Sequence, residues 1–240
     1  MLRIENIVKR YGDKAAVDGL QLHIRAGEIY GFIGHNGAGK TTTLRACAGI
    51  LRMDSGEIFV DGISVKENPL EVKKRIAYVP DNPDLYPFMT GVQYLHFIAD
   101  IYGVGDERNA RIKKYAEIFS LTGDLAQTVG AYSHGMKQKL ALISALVHAP
   151  KLIIMDEPFV GLDPKASFAL KEIMREFCQA GGAIFFSTHV LEVAEKLCDK
   201  VAIIKDGKLI KSGTMEEVKG DESLEEVFLD LEKEDAESLT

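Results

Sequence analysis

The sequence predicts an α/β fold: a mostly parallel sheet with helices on both faces, an N-terminal antiparallel β part, and an inserted block of helices. Three observations predict it. Short apolar runs alternate with helix-like stretches from residue 28 to 51 and again from 151 to 197. A glycine-rich octet, Gly34-His35-Asn36-Gly37-Ala38-Gly39-Lys40-Thr41, joins the first of these strands to the first of these helices. Between residues 90 and 149 the apolar spacing is helical, which marks an insertion into the α/β core.

In chain order, residues 2–9 and 17–24 alternate loosely, predicting two antiparallel strands about a turn at Gly12-Asp13. Residues 28–33 are the strand feeding the octet and 42–51 the helix leaving it. Residues 55–62 read as a short strand between turn signals, 71–75 as the start of a helix and 76–79 as a strand. Pro80, Pro83 and Pro87 then exclude regular structure. In the helical block, Val92, Leu95, Ala99 and Tyr102 share one face, and Met136, Leu140, Ile143 and Val147 another. Leu152-Ile153-Ile154-Met155 is apolar throughout, as a strand covered on both faces requires, and it ends in Asp156-Glu157. Asp163-Pro164 opens a helix with Ala166, Ala169, Ile173 and Phe177 on one side, closed by Gly181-Gly182. Residues 183–186 form a buried strand, 190–197 a helix, and 200–205 with 208–212 a hairpin about Asp206-Gly207. Residues 222–231 place Leu224, Val227, Phe228 and Leu231 on one face of a charged helix, expected to dock on the chain's own body. The expected division is an α/β core with the antiparallel β part, residues 1–89 and 150–220, a helical subdomain of 90–149, and an acidic tail of 221–240.

At 240 residues, 46% hydrophobic and 27% charged, the chain has the composition of a soluble globular protein. No apolar run approaches the roughly 18 residues that a membrane span needs. No secretory signal is visible in the charged first residues. Cys47, Cys178 and Cys198 form no CxxC pair and read as reduced, packed thiols of a cytosolic protein. The net charge of -7 is concentrated in residues 221–240, whose nine acids and one lysine sum to -8, so the remainder carries +1. A nearly neutral body gives no electrostatic basis for nucleic-acid binding.

The octet is a phosphate cradle. Gly34, Gly37 and Gly39 are expected to adopt backbone angles closed to other residues, turning consecutive N–H groups toward an anion at a helix N-terminus. Lys40 would reach the β- and γ-phosphates, and the Thr41 hydroxyl would hold Mg²⁺. Hydrolysis further needs an acid for the metal and a group orienting water. Asp156 and Glu157, at the end of a buried strand, supply the two.

With these motifs in order, the chain resembles the nucleotide-binding subunits of ATP-binding cassette transporters, from Tyr11 to Gly213. The resemblance implies a P-loop NTPase core with a RecA-like part, and an ATPase requiring ATP and Mg²⁺. It implies that Tyr11 stacks on adenine, that residues Gly34 through Thr42 bind ATP, and that His189 senses the γ-phosphate. Tyr132-Ser133-His134-Gly135-Met136 is similar to the signature motif, so Ser133, His134, Gly135 and Met136 are expected to meet ATP bound by a second subunit, homotypic or related. Asp163 matches the loop crossing that interface. Two departures stand out: Asp81 occupies the usual glutamine position and is a further candidate metal ligand, and His134 replaces a glycine. Leu85, Tyr86, Phe88 and Met89 are expected to help form the groove for a separate transmembrane permease, on the cytoplasmic face of the membrane. The tail and signature look most like those of exporters. Two other readings remain: a soluble cassette ATPase acting on ribosomes or nucleic acid, against which stand the single phosphate loop and the lack of sustained heptads, and a non-hydrolysing nucleotide sensor.

Overall fold

The computed structural model describes residues 1–238, with side chains through Leu231. Strands β1 (Leu2–Tyr11) and β2 (Lys14–Ile24) pair antiparallel, and β4 (Ser55–Val60) with β5 (Ile63–Ser64) extends them into a four-stranded sheet ordered β2-β1-β4-β5. A second sheet runs β10-β9-β3-β8-β7-β6, with β3 (Ile29–Ile33), β6 (Ile76–Val79), β7 (Leu152–Asp156), β8 (Ala183–Thr188), β9 (Lys200–Lys205) and β10 (Lys208–Thr214). Its strands are parallel except β10, which closes the hairpin with β9.

The period of two along each strand sorts its side chains into two cores. Ile33, Val79, Met155 and Phe186 face one core together with the helices α3 (Gly91–Ile101), α5 (His134–Val147) and α6 (Pro164–Gln179). Phe32, Ile154, Phe185 and Ile204 face the other, shared with α1 (Lys40–Cys47) and the antiparallel sheet. A sheet covered on both faces therefore carries near-continuous apolar strands, as the sequence predicts. The shorter α2 (Pro69–Lys73) precedes β6, α4 (Arg108–Ile118) lies between α3 and α5, and α7 (Leu191–Leu197) and α8 (Met215–Lys219) flank the terminal hairpin.

Helical faces differ in detail from expectation. On α6 the buried stripe is Ala166, Leu170, Ile173, Met174 and Cys178: Ala166 and Ile173 are as expected, while the i+4 row through Leu170, Met174 and Cys178 is more deeply buried than Ala169 and Phe177, which are half-buried beside it. Tyr102 lies just past α3 with its ring stacked on His148, centroids 3.8 Å apart, instead of in the core. Helix α5 is buried on more than one face, adding Leu142, Ala145 and Leu146 to the expected set. The last helix, α9 (Leu224–Ser238), docks on the body: Leu224 and Val227 are buried, and Phe228 and Leu231 pack against the same core. The side chains of the acidic tail from residue 232 onward lie outside the described residues. All three cysteines are free and buried, and burial pushes their thiols up, Cys178 to about 12. Among the described residues no helix is long and apolar enough to cross a membrane.

Candidate active site

The parallel strands β3, β8 and β7 are neighbours in register, Ile33 beside Thr188 and Ser187 beside Asp156, so their C-terminal ends converge at one edge. The octet leaves β3 there and enters α1. Gly39 caps that helix at φ 107, a conformation that L side chains rarely adopt, and a Cβ at this position would also strike the Ala16 carbonyl. Gly34 departs from expectation: its φ is not left-handed, and what requires glycine is its close approach to the Ile204 carbonyl. The first-turn amides of α1 have no intrahelical partners and point to the helix N-terminus, where they favour an anion.

Lys40 is 6% exposed, and its Nζ donates to the Gly34 carbonyl at 2.5 Å and the His35 carbonyl at 3.1 Å. Burial pulls its pKa down, opposed by the charges of Glu157 and Asp156. The Thr41 hydroxyl donates to Asp156 Oδ2 at 2.6 Å, and the Ser187 hydroxyl donates to Asp156 Oδ1 at 2.5 Å. With its proton committed to Asp156, Thr41 keeps lone pairs for a hard cation, so this oxygen set fits Mg²⁺.

Glu157 is the next residue along. Its backbone sits at φ 47, in the left-handed region, and its N–H donates to Ser187 Oγ at 3.0 Å. Its Oε2 lies 2.9 Å from His189 Nδ1 and accepts the His189 N–H at 3.4 Å, while Oε1 lies 3.8 Å from Lys40 Nζ. Oε1 is buried and accepts no hydrogen bond among the described residues. Lys40, Thr41, Asp156, Glu157 and His189, five residues singled out from the sequence, are thus brought together. Ser187 was not among them. Its signal is faint: one serine in the otherwise apolar run Ala183-Ile184-Phe185-Phe186, with no exposure to solvent.

Asp81 is not part of this cluster. It is exposed, its Oδ1 accepts the Asn82 N–H at 2.8 Å, and its charge acts on Arg45 and Tyr78. Tyr11 is 55% exposed at the end of β1, with the Lys9 ammonium 5.6 Å from its ring centroid. Among the described residues, no hydrogen bond or ion pair links Ser133 to Met136 with the phosphate loop. Ser133 caps α5, its hydroxyl accepting the Met136 N–H at 3.3 Å, and His134 and Gly135 press against Gly161. Asp163 caps α6 by accepting the Ala166 N–H at 2.8 Å and pairs with Lys139 of α5 at 2.5 Å. The Lys139 ion pair, then the cap, holds its carboxyl below the usual range. In the loop after β6, Leu85 and Met89 pack inward, while Tyr86 and Phe88 are exposed. The phosphate loop also meets the tail: the His35 and Phe228 rings lie 4.8 Å apart.

Comparison with known proteins identifies the family. The family model described as ABC transporter matches residues 17–160. The chain is similar to the linearmycin resistance ATP-binding protein LnrL of Bacillus subtilis, with 36% identity over 89% of this chain and 69% of that one. It is also similar to the Nod factor export ATP-binding protein I of Burkholderia lata, with 37% identity over 87% of this chain and 69% of that one. A solved structure described as an ATP-binding subunit of an ABC transporter superimposes with a TM-score of 0.93 at 32% identity, covering 96% of this chain and 99% of the other.

Proposed function

The chain belongs to the ATP-binding subunits of ABC transporters, and from that premise we propose how its residues bind and hydrolyse ATP and what the reaction drives. Its activity is ATP hydrolysis coupled to transport by a membrane partner. Tyr11 stacks on the adenine. The amides of residues 34–42 and Lys40 bind the phosphates, exchanging the carbonyls of Gly34 and His35 for phosphate oxygens as partners of Nζ. Thr41 and Asp156 are the residues that would hold Mg²⁺, whose charge would neutralise the phosphate oxygens.

One observation carries the catalytic assignment: Glu157 Oε1 is a buried carboxylate oxygen with no hydrogen bond among the described residues, beside Lys40 and on the side chain that His189 holds through Oε2. Such an oxygen can accept a proton from water. Glu157 therefore orients and activates the attacking water, and His189 fixes the carboxylate. Glu157→Gln keeps the shape and removes the base. ATP should still bind, hydrolysis should fall by orders of magnitude, and a dimer should accumulate on size-exclusion chromatography. Normal turnover would remove Glu157 from this role.

Ser133, His134, Gly135 and Met136 complete the site of a second subunit, with Asp163 at the crossing between them. Residues 1–89 and 150–220 form the ATP-binding core, and residues 90–149 the subdomain presenting Ser133. A permease binds at the exposed Tyr86 and Phe88, which narrows the expected four-residue groove because Leu85 and Met89 face inward. Binding there places the subunit on the cytoplasmic face of the membrane. The names of the linearmycin resistance and Nod factor export relatives support export as the direction. Cysteines at positions 86 and 88 that crosslink to no multi-spanning protein in native membranes would remove the docking assignment.

A further inference from the structure

We propose that Ser187 is a positioning residue for hydrolysis, holding the metal-side carboxylate and the backbone of the catalytic carboxylate in one fixed relation. The inference rests on the roles given above to Asp156 and Glu157.

Three observations carry it. Ser187 is fully buried, and its hydroxyl uses its one proton toward Asp156 Oδ1 at 2.5 Å and an acceptor site toward the Glu157 N–H at 3.0 Å. Glu157 adopts φ 47, a left-handed conformation that is unfavourable for a residue with a Cβ and persists where neighbouring structure enforces it. The Ser187 hydroxyl is what bonds the amide at that turn. The third is register: Ser187 stands directly beside Asp156 across the β7–β8 pair, so the hydroxyl reaches two consecutive residues of the adjacent strand end. An alanine would remove both contacts. Among the described residues, Asp156 would then retain the Thr41 hydroxyl on its other oxygen. The Glu157 peptide would be free to relax out of the left-handed region, carrying its carboxylate away from Lys40 and His189.

The role differs from that of a structural core hydroxyl. A serine that only stabilised the strand would, when lost, lower the melting temperature and leave turnover per folded molecule unchanged. Ser187 instead sets the aim of Glu157, so its loss appears in kcat more than in KM for ATP, whose binding rests mainly on the loop and Lys40.

The test compares Ser187→Ala, Ser187→Thr and Glu157→Gln in the full chain. Steady-state ATPase kinetics are measured at saturating Mg²⁺, and amide hydrogen exchange at Glu157 is followed by NMR in the absence of metal and nucleotide. Removing a hydrogen bond to a charged group leads us to expect kcat of the alanine variant to fall roughly tenfold or more. KM should change by less than about threefold, the Glu157 amide should exchange faster, and the threonine variant should recover most of kcat. If Ser187→Ala does not fold, Ser187→Cys, a somewhat larger side chain that fills the site with a weaker donor, should fall between wild type and the expected alanine loss. An alanine variant with wild-type kcat alongside an inactive Glu157→Gln would overturn the inference and leave the reading of Glu157 intact. Lost kcat with unchanged exchange at Glu157 would overturn it too. An active Glu157→Gln would instead undo the reading on which the inference rests.

Discussion

Lys40, Asp156 and Ser187 are buried and bonded to one another's neighbours within the chain, whereas Ser133 and His134 stand exposed at the start of α5, held by a helix cap and a contact with Gly161. The first group lies where three parallel strands end together. The second lies at the tip of the helical block, joined to the α/β part through Lys139–Asp163 and His148. A buried, cross-bonded cluster is pre-organised for charge. An exposed helix N-terminus needs a partner surface before its amides have anything to bind. On the function proposed above, one half of the chemistry is finished on folding and the other on association.

The largest effect should come from breaking the finished half. Lys40→Ala should reduce hydrolysis on the order of a hundredfold or more, with nucleotide binding weakened in a fluorescent-ATP titration. Breaking the exposed half, Ser133→Arg should leave ATP binding by the isolated chain unchanged while abolishing ATP-dependent dimerisation. Mixing the Lys40→Ala and Ser133→Arg variants should restore part of the activity, because one of the two composite sites then pairs an intact loop with an intact Ser133. No recovery would mean that the two halves do not meet between subunits.

The joint between the halves should give smaller effects. Asp163→Ala removes the α6 cap and the Lys139 pair, and should lower stability by about 1 kcal/mol in chemical denaturation. His148 sharpens the comparison further. Its Nε2 lies 3.0 Å from the Ile76 carbonyl, and burial lowers its pKa below the ordinary 6.5. The unfolded chain therefore takes up this proton first as pH falls, so stability present above 6.5 is lost as pH drops toward the folded value. His148→Gln should flatten the pH dependence of unfolding between about pH 7 and 5.

The phosphate loop was legible because its chemistry is local: Gly37, Gly39, Lys40 and Thr41 act within one turn, and the strand and helix around them are short-range patterns. Asp156-Glu157 stood out because two acids interrupt an apolar strand. Ser187 was not legible, since its partners Asp156 and Glu157 lie about thirty positions away and only strand order brings them together. The setting of Asp81 was not legible for a related reason: a motif position fixes where a side chain starts, whereas the contact its carboxylate makes, with the Asn82 amide, is seen only in the structure. The inward turn of Leu85 and Met89, against the outward Tyr86 and Phe88, likewise depends on packing that a proline-broken loop does not encode in its spacing.

The place of β3 has a consequence for how the protein is made. The strand that launches the phosphate loop is synthesised early, yet both strands that flank it, β8 and β9, begin only at Ala183 and Lys200. On the ribosome, Gly34 to Thr41 emerge after β2, whose Ala16 carbonyl lies against Gly39, but long before either strand that flanks β3, and pairings of such long sequence separation form slowly. A nascent chain stalled before β8 has left the tunnel carries every residue of the loop but neither of the strands that flank β3, so the frame that positions the loop is completed late.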